Sequence, residues 1–442
     1  MTIEPRPRVA LAALLSLLLA AAPAAALDGH GQDPAAEASS PLIPGVLTLS
    51  WCLDRAHEAN PRLAEVAANA AAAGHRIAPA GALEDPRITY DASNVPTGDW
   101  NFTSTPLSGH QFGLRQKLPF PGLLSNREDA ARRAAEASDF RVEDERLLVD
   151  GSVESAWAEL GFAQQALAIT ERNILLLRQL AATAEARYRV GRALQDDVLR
   201  AQVELTALLE ERLRRQAAIA RAEATLVALL DLPADTRLPT TEALAMNARE
   251  PDLDPLLASL EERSPRLAAA RKQVEEARFR VRAAEIEGLP DLDLGVGYRL
   301  RERVMGDPVN GDDFVSAGFT IRLPVDRSKW SAHAAEQRAL LRRAEAALRG
   351  ARAELISQTR RWHAELSRAF AEETLLRTGL VPQAEQSLAS SRSAYEVGRI
   401  GFLSLLDSQV RLLGAELQLA RARADKRLAF ASLEAAAGEK LR

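Results

Sequence analysis

The chain of 442 residues contains one pattern twice. Asn60-Pro61-Arg62-Leu63 returns as Ser264-Pro265-Arg266-Leu267, 204 residues on. Leu118-Pro119 returns as Leu323-Pro324 and Trp157 as Trp362, each at an offset of 205. Ala186-Arg187-Tyr188-Arg189-Val190-Gly191-Arg192 returns as Ser393-Ala394-Tyr395-Glu396-Val397-Gly398-Arg399, with the tyrosines 207 apart. Matches in one order at nearly one offset mark a duplication, so the fold must be two copies of one supersecondary plan.

Apolar spacing gives that plan. Leu341, Leu348, Leu355, Trp362, Ala369 and Leu376 recur every seven residues. Val153, Trp157, Leu160, Leu167, Ile174, Leu177, Ala181, Ala184 and Tyr188 keep steps of three, four or seven. Such stripes must be buried against other helices in a left-handed supercoil. Helices are expected over about 52–80, 123–188 and 195–230, and again over 258–287, 328–395 and 402–438. Pro121-Gly122 followed by Ser125-x-x-Glu128 predicts a stop and then a capping box at the start of the first long helix. That helix would run ~100 Å at 1.5 Å per residue, and the two shorter helices of each half add up to the same length. The sequence therefore predicts long helices lying beside pairs of stacked short ones. Residues 231–256, with Pro233, Pro239, Pro251 and Pro255, read as a linker. Val190-Gly191-Arg192-Ala193-Leu194 and Val397-Gly398-Arg399-Ile400 interrupt the stripes. Each is expected to be the tip of a helical hairpin, with glycine supplying the positive φ.

Between the first and second helix of each half lie two alternating segments, about 87–95 and 110–118, then about 291–300 and 314–323. Leu294, Val296 and Tyr298 alternate with Asp293, Gly295 and Gly297; Phe319 and Ile321 alternate with Gly318 and Thr320. An apolar face on a strand of about nine residues suits a membrane barrel, and a soluble sheet packed on one face shows the same alternation. In a barrel, Leu294, Val296, Tyr298, Phe319 and Ile321 would face lipid. Four strands cannot close a barrel, and open edges cannot sit in lipid. Several chains would then share one barrel, and three would supply twelve strands.

Arg6 and Arg8, an apolar stretch over 9–22 and Ala24-Ala25-Ala26 predict a secretory signal, 1–26, with 27–46 as an extension. The remainder has no apolar run long enough for a transmembrane helix. Cys52 is the single cysteine, so no internal disulfide can form. It falls within a helical pattern well past the cleavage point, which favours a small core residue over a lipid anchor. The six histidines are scattered, and three methionines with one cysteine make no soft-metal relay. No phosphate-binding loop, nucleophile elbow or dinucleotide fingerprint is present. We therefore expect no catalysis, metal or cofactor, and the net charge of -5 gives no nucleic-acid signature.

The motifs Asn60-Pro61-x-Leu63, Gln116-x-Leu118-Pro119-x-Pro121-Gly122, Tyr188-x-Val190-Gly191 and Gln195-x-Asp197-Val198-Leu199-x-Ala201-Gln202 occur in that order. Tyr395-x-Val397-Gly398, Leu405-Leu406-Asp407 and Gln409 follow in the second half. From about Leu47 onward the chain resembles the TolC-type outer-membrane efflux family. That resemblance implies a mainly α fold with a small β part, with repeats over 47–230 and 257–442. It implies a homotrimer with a twelve-stranded outer-membrane barrel and a long periplasmic α-helical tunnel. Its partners would be a periplasmic adaptor, docking at the tips, and an inner-membrane pump. It places Asp197 and Asp407 on the tunnel-lining face near the periplasmic mouth, as a gate. Ser404 departs from the fuller acidic pattern. Pro119-x-Pro121-Gly122 resembles the heavy-metal and related efflux branch, although ducts of type I protein secretion follow the same plan. A soluble periplasmic coiled-coil scaffold would account for the helices and leave the strands without a use.

Overall fold

The computed structural model describes residues 42–246 and 249–441; the expected signal segment, 1–26, and most of the extension lie outside them. The first half comprises helices α1 (Leu49–Ala59), α2 (Pro61–His75) and α3 (Ile77–Gly81), strands β1 (Arg87–Ser93) and β2 (Gly109–Leu118), and helices α4 (Leu123–Arg189) and α5 (Gln195–Leu229). The second comprises α6 (Leu253–Arg263), α7 (Pro265–Glu287), β3 (Asp291–Leu300), β4 (Phe314–Arg322), α8 (Arg327–Leu375), a π-helical turn (Leu376–Leu380), α9 (Val381–Glu396) and α10 (Phe402–Ala437). The duplicated plan is thus the fold.

Three local features depart from the sequence reading. The expected single helices 52–80 and 258–287 are broken at Asn60 and Ser264, whose ψ angles are 121° and 114°. Proline Cδ drives the preceding residue out of the helical region, and proline itself then opens the next helix, where no N–H is needed. Asn60 Oδ1 accepts the Arg62 amide at 3.0 Å, and Ser264 Oγ accepts the Leu267 amide at 3.4 Å.

The expected Ser125–Glu128 capping box does not form. Gly122, at φ +91°, caps α4 three residues before Ser125. Ser125 Oγ and Asn126 Nδ2 then donate to the Gly122 carbonyl at 3.1 and 2.6 Å, and Glu128 pairs with Arg132 at 2.6 Å. The second long helix, expected unbroken, widens into a π turn at Leu376–Leu380. Pro382 has no N–H for the Thr378 carbonyl and its ring would crowd it, which a wider turn relieves.

The long stripes are buried in part: Leu167, Ala181, Leu341, Leu348 and Trp362 are half-buried, and Tyr188, at the end of the first stripe, is exposed. Val153, Trp157, Leu160, Ile174, Leu177 and Ala184 of α4 are buried, as are Leu355, Ala369 and Leu376 of the second long helix. α4 lies along α5 and along α1–α3, while α8 lies along α7 and α10; α4 also contacts α7 and α10, which joins the two halves. One core cluster gathers Leu47, Cys52, Val153, Trp157, Leu160, Leu226 and Leu230. Full burial of a tryptophan of ~200 Å² contributes roughly 5 kcal/mol before its entropy cost. The Trp157 indole N–H donates to the Leu47 carbonyl at 3.0 Å.

The segment joining the halves runs over this cluster. Leu232, Leu238 and Leu244 are buried in it, and the Leu47 amide donates to the Thr240 carbonyl at 2.9 Å. Proline limits helix here without freeing the chain. α6 also begins within the segment, because Pro255 falls in its first turn, where amides have no helical acceptor. Burial pushes the Cys52 thiol up to about 12, helped by the nearby Glu242 carboxylate. Among the described residues no helix is long and apolar enough to cross a membrane.

Candidate functional site: an uncovered sheet and two paired hairpin tips

The four strands form one antiparallel sheet in the order β1-β2-β3-β4, so the hairpins of the two halves join through β2 and β3. The register aligns Ile88, Leu114, Val296 and Ala317 across the sheet, and then Tyr90, Phe112, Tyr298 and Val315. Leu294 pairs with Phe319 and Leu292 with Ile321. All five residues singled out as lipid-facing therefore share one face. That face is uncovered: Val315 is 77% exposed, Phe319 69% and Val296 54%. Exposed apolar surface of this extent calls for an apolar partner. Among the described residues, β1 and β4 each leave one edge without a partner strand.

The two ends of the sheet differ. At the loop end, Phe102 stacks on His110 at 3.9 Å between ring centroids, and Tyr90 lies 5.3 Å from Phe112. The loops here, 94–108 and 301–313, are tied by Arg301. Its guanidinium donates to the Pro106 carbonyl at 3.0 Å and pairs with the buried Asp307 at 2.9 Å. At the helical end, ion pairs brace the junction: Lys117 of β2 with Glu84 of the α3–β1 connection at 2.6 Å, Arg127 of α4 with Glu287 of α7 at 2.6 Å, and Arg322 of β4 with Asp291 of β3.

Far along the chain from the sheet, both hairpin tips close in the same way. The Gly191 amide donates to the Tyr188 carbonyl at 2.9 Å and the Arg192 amide to the Arg187 carbonyl at 2.8 Å. The Gly398 amide donates to the Tyr395 carbonyl at 3.0 Å and the Arg399 amide to the Ala394 carbonyl at 2.9 Å. Each is a full Schellman closure, and it requires a left-handed residue. Gly191 and Gly398 supply this at φ +71° and +77°. The closures present Val190 (68%), Leu194 (71%) and Val397 (68%) to solvent beside the exposed Arg192 and Arg399. Ala193 and Ile400 are half-buried.

The two tips are joined by Arg187, which the motif reading did not single out. Its Nη1 donates to the Tyr395 and Glu396 carbonyls at 2.5 and 3.1 Å, and its guanidinium lies 4.8 Å above the Tyr395 ring. Tyr395 packs edge-on to Phe402 at 5.7 Å within a cluster of Leu177, Ala184, Ala201, Leu208 and Leu405. Burial raises the Tyr395 phenol above its ordinary range. Tyr188, its counterpart in the repeat, is 44% exposed. A signal for Arg187 was present in the sequence: the repeat places Ala394 at its equivalent, so the copies differ where one reaches across to the other.

Asp197 and Asp407 stand just inside these tips. Asp197 is half-buried at the third position of α5, and its Oδ2 accepts the Leu194 amide at 3.2 Å. Asp407 is exposed and pairs with Arg411, one turn on, at 2.8 Å. Among the described residues no group of three or more His, Cys, Asp or Glu side chains could hold a metal ion.

Known proteins share both halves of this arrangement. The sequence profile of outer membrane efflux proteins matches residues 52–231 and 256–439. Protein CyaE of Bordetella pertussis is 29% identical over 311 residues, a stretch covering 69% of this chain and 64%, under two thirds, of that protein. The outer membrane protein VceC of Vibrio cholerae has the same fold, with a TM-score of 0.75 at 19% identity over 89% of this chain and 97% of that one. The Campylobacter jejuni CmeC outer membrane channel gives 0.76 at 12% identity, over 89% and 87%.

Proposed function

The chain belongs to the outer membrane efflux protein family, and from that premise we propose that it is the exit duct of a tripartite efflux system. As a member of that family it is an outer-membrane channel and not an enzyme. In this reading three copies pair their open β1 and β4 edges into a twelve-stranded barrel. A periplasmic adaptor and an inner-membrane pump deliver cargo, which then passes without an energy input from this chain.

The observation that carries the proposal is the sheet: one uncharged, uncovered apolar face, with no partner strand at either edge among the described residues. Membrane-spanning strands need every backbone group paired, and closure with further copies supplies that. The tips suit the adaptor. Valine and leucine side chains stand exposed beside Arg192 and Arg399 on rigid glycine closures, a small apolar patch with a cationic rim. Asp197 and Asp407 suit a mouth that attracts cations. Arg411 beside Asp407 leaves Asp197 the stronger contributor. Within the family, Pro119-x-Pro121-Gly122 favours the heavy-metal and related branch.

Two measurements test this reading. Reversing Arg192 and Arg399 together should abolish export at unchanged trimer level, and full export would remove docking from the tips. Asp197→Ala with Asp407→Ala should raise single-channel conductance and weaken block by divalent cations. Wild-type values for both would make these aspartates ordinary surface charges.

A further inference from the structure

The face of the sheet opposite the apolar one has an unbalanced charge. Alternation and register place Arg87, Arg115, Lys117, Arg299 and Arg322 on it with three carboxylates, Asp91, Asp291 and Asp293. The excess is two positive charges per sheet, in a chain whose net charge is -5. The charges are also segregated. At the helical end, Lys117 and Arg87 share Glu84, at 2.6 and 3.5 Å, and Arg322 pairs with Asp291. Further along the strands, Arg115 and Arg299 form no ion pair among the described residues. Arg299 donates only to the neutral Gln111 Oε1 at 2.7 Å and Ser93 Oγ at 3.0 Å.

These two guanidiniums flank a strip without side chains. Gly113 pairs with Gly297, and Gly295 with Gly318. The strip forms the floor of a shallow groove of about 250 Å³ bordered by Thr89, Asp91, Arg115, Asp293 and Thr320. The Arg115 stem runs over it, with Cγ 3.6 Å from where a Gly295 Cβ would stand. Two carboxylates share that stretch of the face, Asp91 opposite Gln111 and Asp293 diagonal to Arg115, and among the described residues neither forms an ion pair with a guanidinium; the net excess of the face stays positive.

We infer that the barrel section of the duct favours anions, with Arg115 and Arg299 contacting an anionic cargo such as a carboxylate, a phosphate-bearing solute or an oxyanion. The inference rests on the duct reading, because only closure of the sheet turns this face into a lumen. Three copies would then bring six guanidiniums without a direct ion-pair partner, on a face of net positive charge, around one narrow, weakly screened passage. Arginine is suited to the task, since its planar fork binds carboxylate and phosphate oxygens two at a time and keeps its charge at any working pH. A bare divalent cation would be attracted at Asp197 and repelled here. A metal using this route would leave as an oxyanion or as a complex of net negative charge.

The test uses the full-length channel, extracted in detergent and also reconstituted in neutral phosphatidylcholine planar bilayers. Gly318→Cys provides the reporter, because a Cβ there meets nothing within 4 Å. The native Cys52, fully buried, stays silent. Labelling rates are measured with a negatively charged sulfonatoethyl and a positively charged trimethylammonioethyl methanethiosulfonate, each normalised to its rate with free 2-mercaptoethanol.

The negative reagent should be favoured, and Arg115→Gln with Arg299→Gln should lower that preference by about threefold or more at low salt. The Arg115→Lys, Arg299→Lys variant should retain it, which separates charge from damage to the sheet. Reversal potentials across a KCl gradient should move toward cation selectivity in the Gln variant only. Wild-type protein that forms no channels would overturn the duct reading and this inference with it. Channels that form normally, with labelling ratio and reversal potential indifferent to both substitutions, would overturn the inference alone.

Discussion

Arg187→Gln should loosen the joint between the two hairpin tips and raise the open probability of the channel. The guanidinium makes two donated bonds to carbonyls of the other hairpin and lies over the Tyr395 ring. A hydrogen bond from a charged donor contributes about 1.5–3 kcal/mol, and a partly solvated cation–π contact about 0.5–1. Two facts lower the sum. The Tyr395 carbonyl keeps the Gly398 amide as a donor, and Arg187 Nε is buried without a hydrogen-bond partner, a cost the substitution removes. About 2 kcal/mol per chain remains, near a thirtyfold change in the local closed-to-open ratio at 1.4 kcal/mol per decade. Single-channel recording gives the open probability. Hydrogen exchange over 388–404 gives the local opening, with Arg189→Gln, on the exposed side of the same turn, as the control. If Arg187→Gln and Arg189→Gln are alike in both measurements, Arg187 is not the joint.

Val296→Asp or Phe319→Asp should destabilise the membrane-inserted trimer by about 2 kcal/mol per site, whereas Thr320→Asp should be tolerated; the melting of the trimer band on semi-native gels reads this, and equal losses at all three sites would reverse the assigned faces. Asn60→Ala should cost about 1–2 kcal/mol, more than Ser264→Ala, because Asn60 also donates to the Leu229 carbonyl at 2.8 Å while the Ser264 cap is long; thermal unfolding would contradict this if the two were equal. With its thiol raised to about 12, Cys52 should stay protonated and unlabelled by maleimide through pH 8 until denaturant is added, and labelling of the folded protein would contradict its burial.

The fold was legible because its determinants are periodic. A seven-residue stripe of Leu341, Leu348 and Leu355 has no stable place outside a helical rod, and strict alternation from Leu292 to Leu300 suits no helix. The breaks were less legible, since they turn on single backbone groups. The Pro61 and Pro265 interruptions could have been read from the residue-before-proline rule. The Gly122 start could not, because Ser125-x-x-Glu128 fits a capping box in spacing and Gly122 outcompetes it only by taking a left-handed φ. At the tips, turn chemistry named Gly191 and Gly398, but Arg187 looked like one arginine among many. Its partner lies 208 residues away, and no local pattern reports such a distance.

The π turn has a consequence for how the two copies stay in step. The repeat offset is 205 at the tryptophans and 207 at the tip tyrosines, so the second long helix gained residues between Trp362 and Tyr395. In a straight α-helix the surplus would push the second tip outward and rotate its apolar stripe away from its neighbours. The wide turn at Leu376–Leu380 lies inside that interval. A wide turn rises less and rotates less per residue, and so takes up part of the surplus. The segment works as a vernier: it lets a copy that drifted in length still end level with its twin, where Arg187 of one can reach Tyr395 of the other.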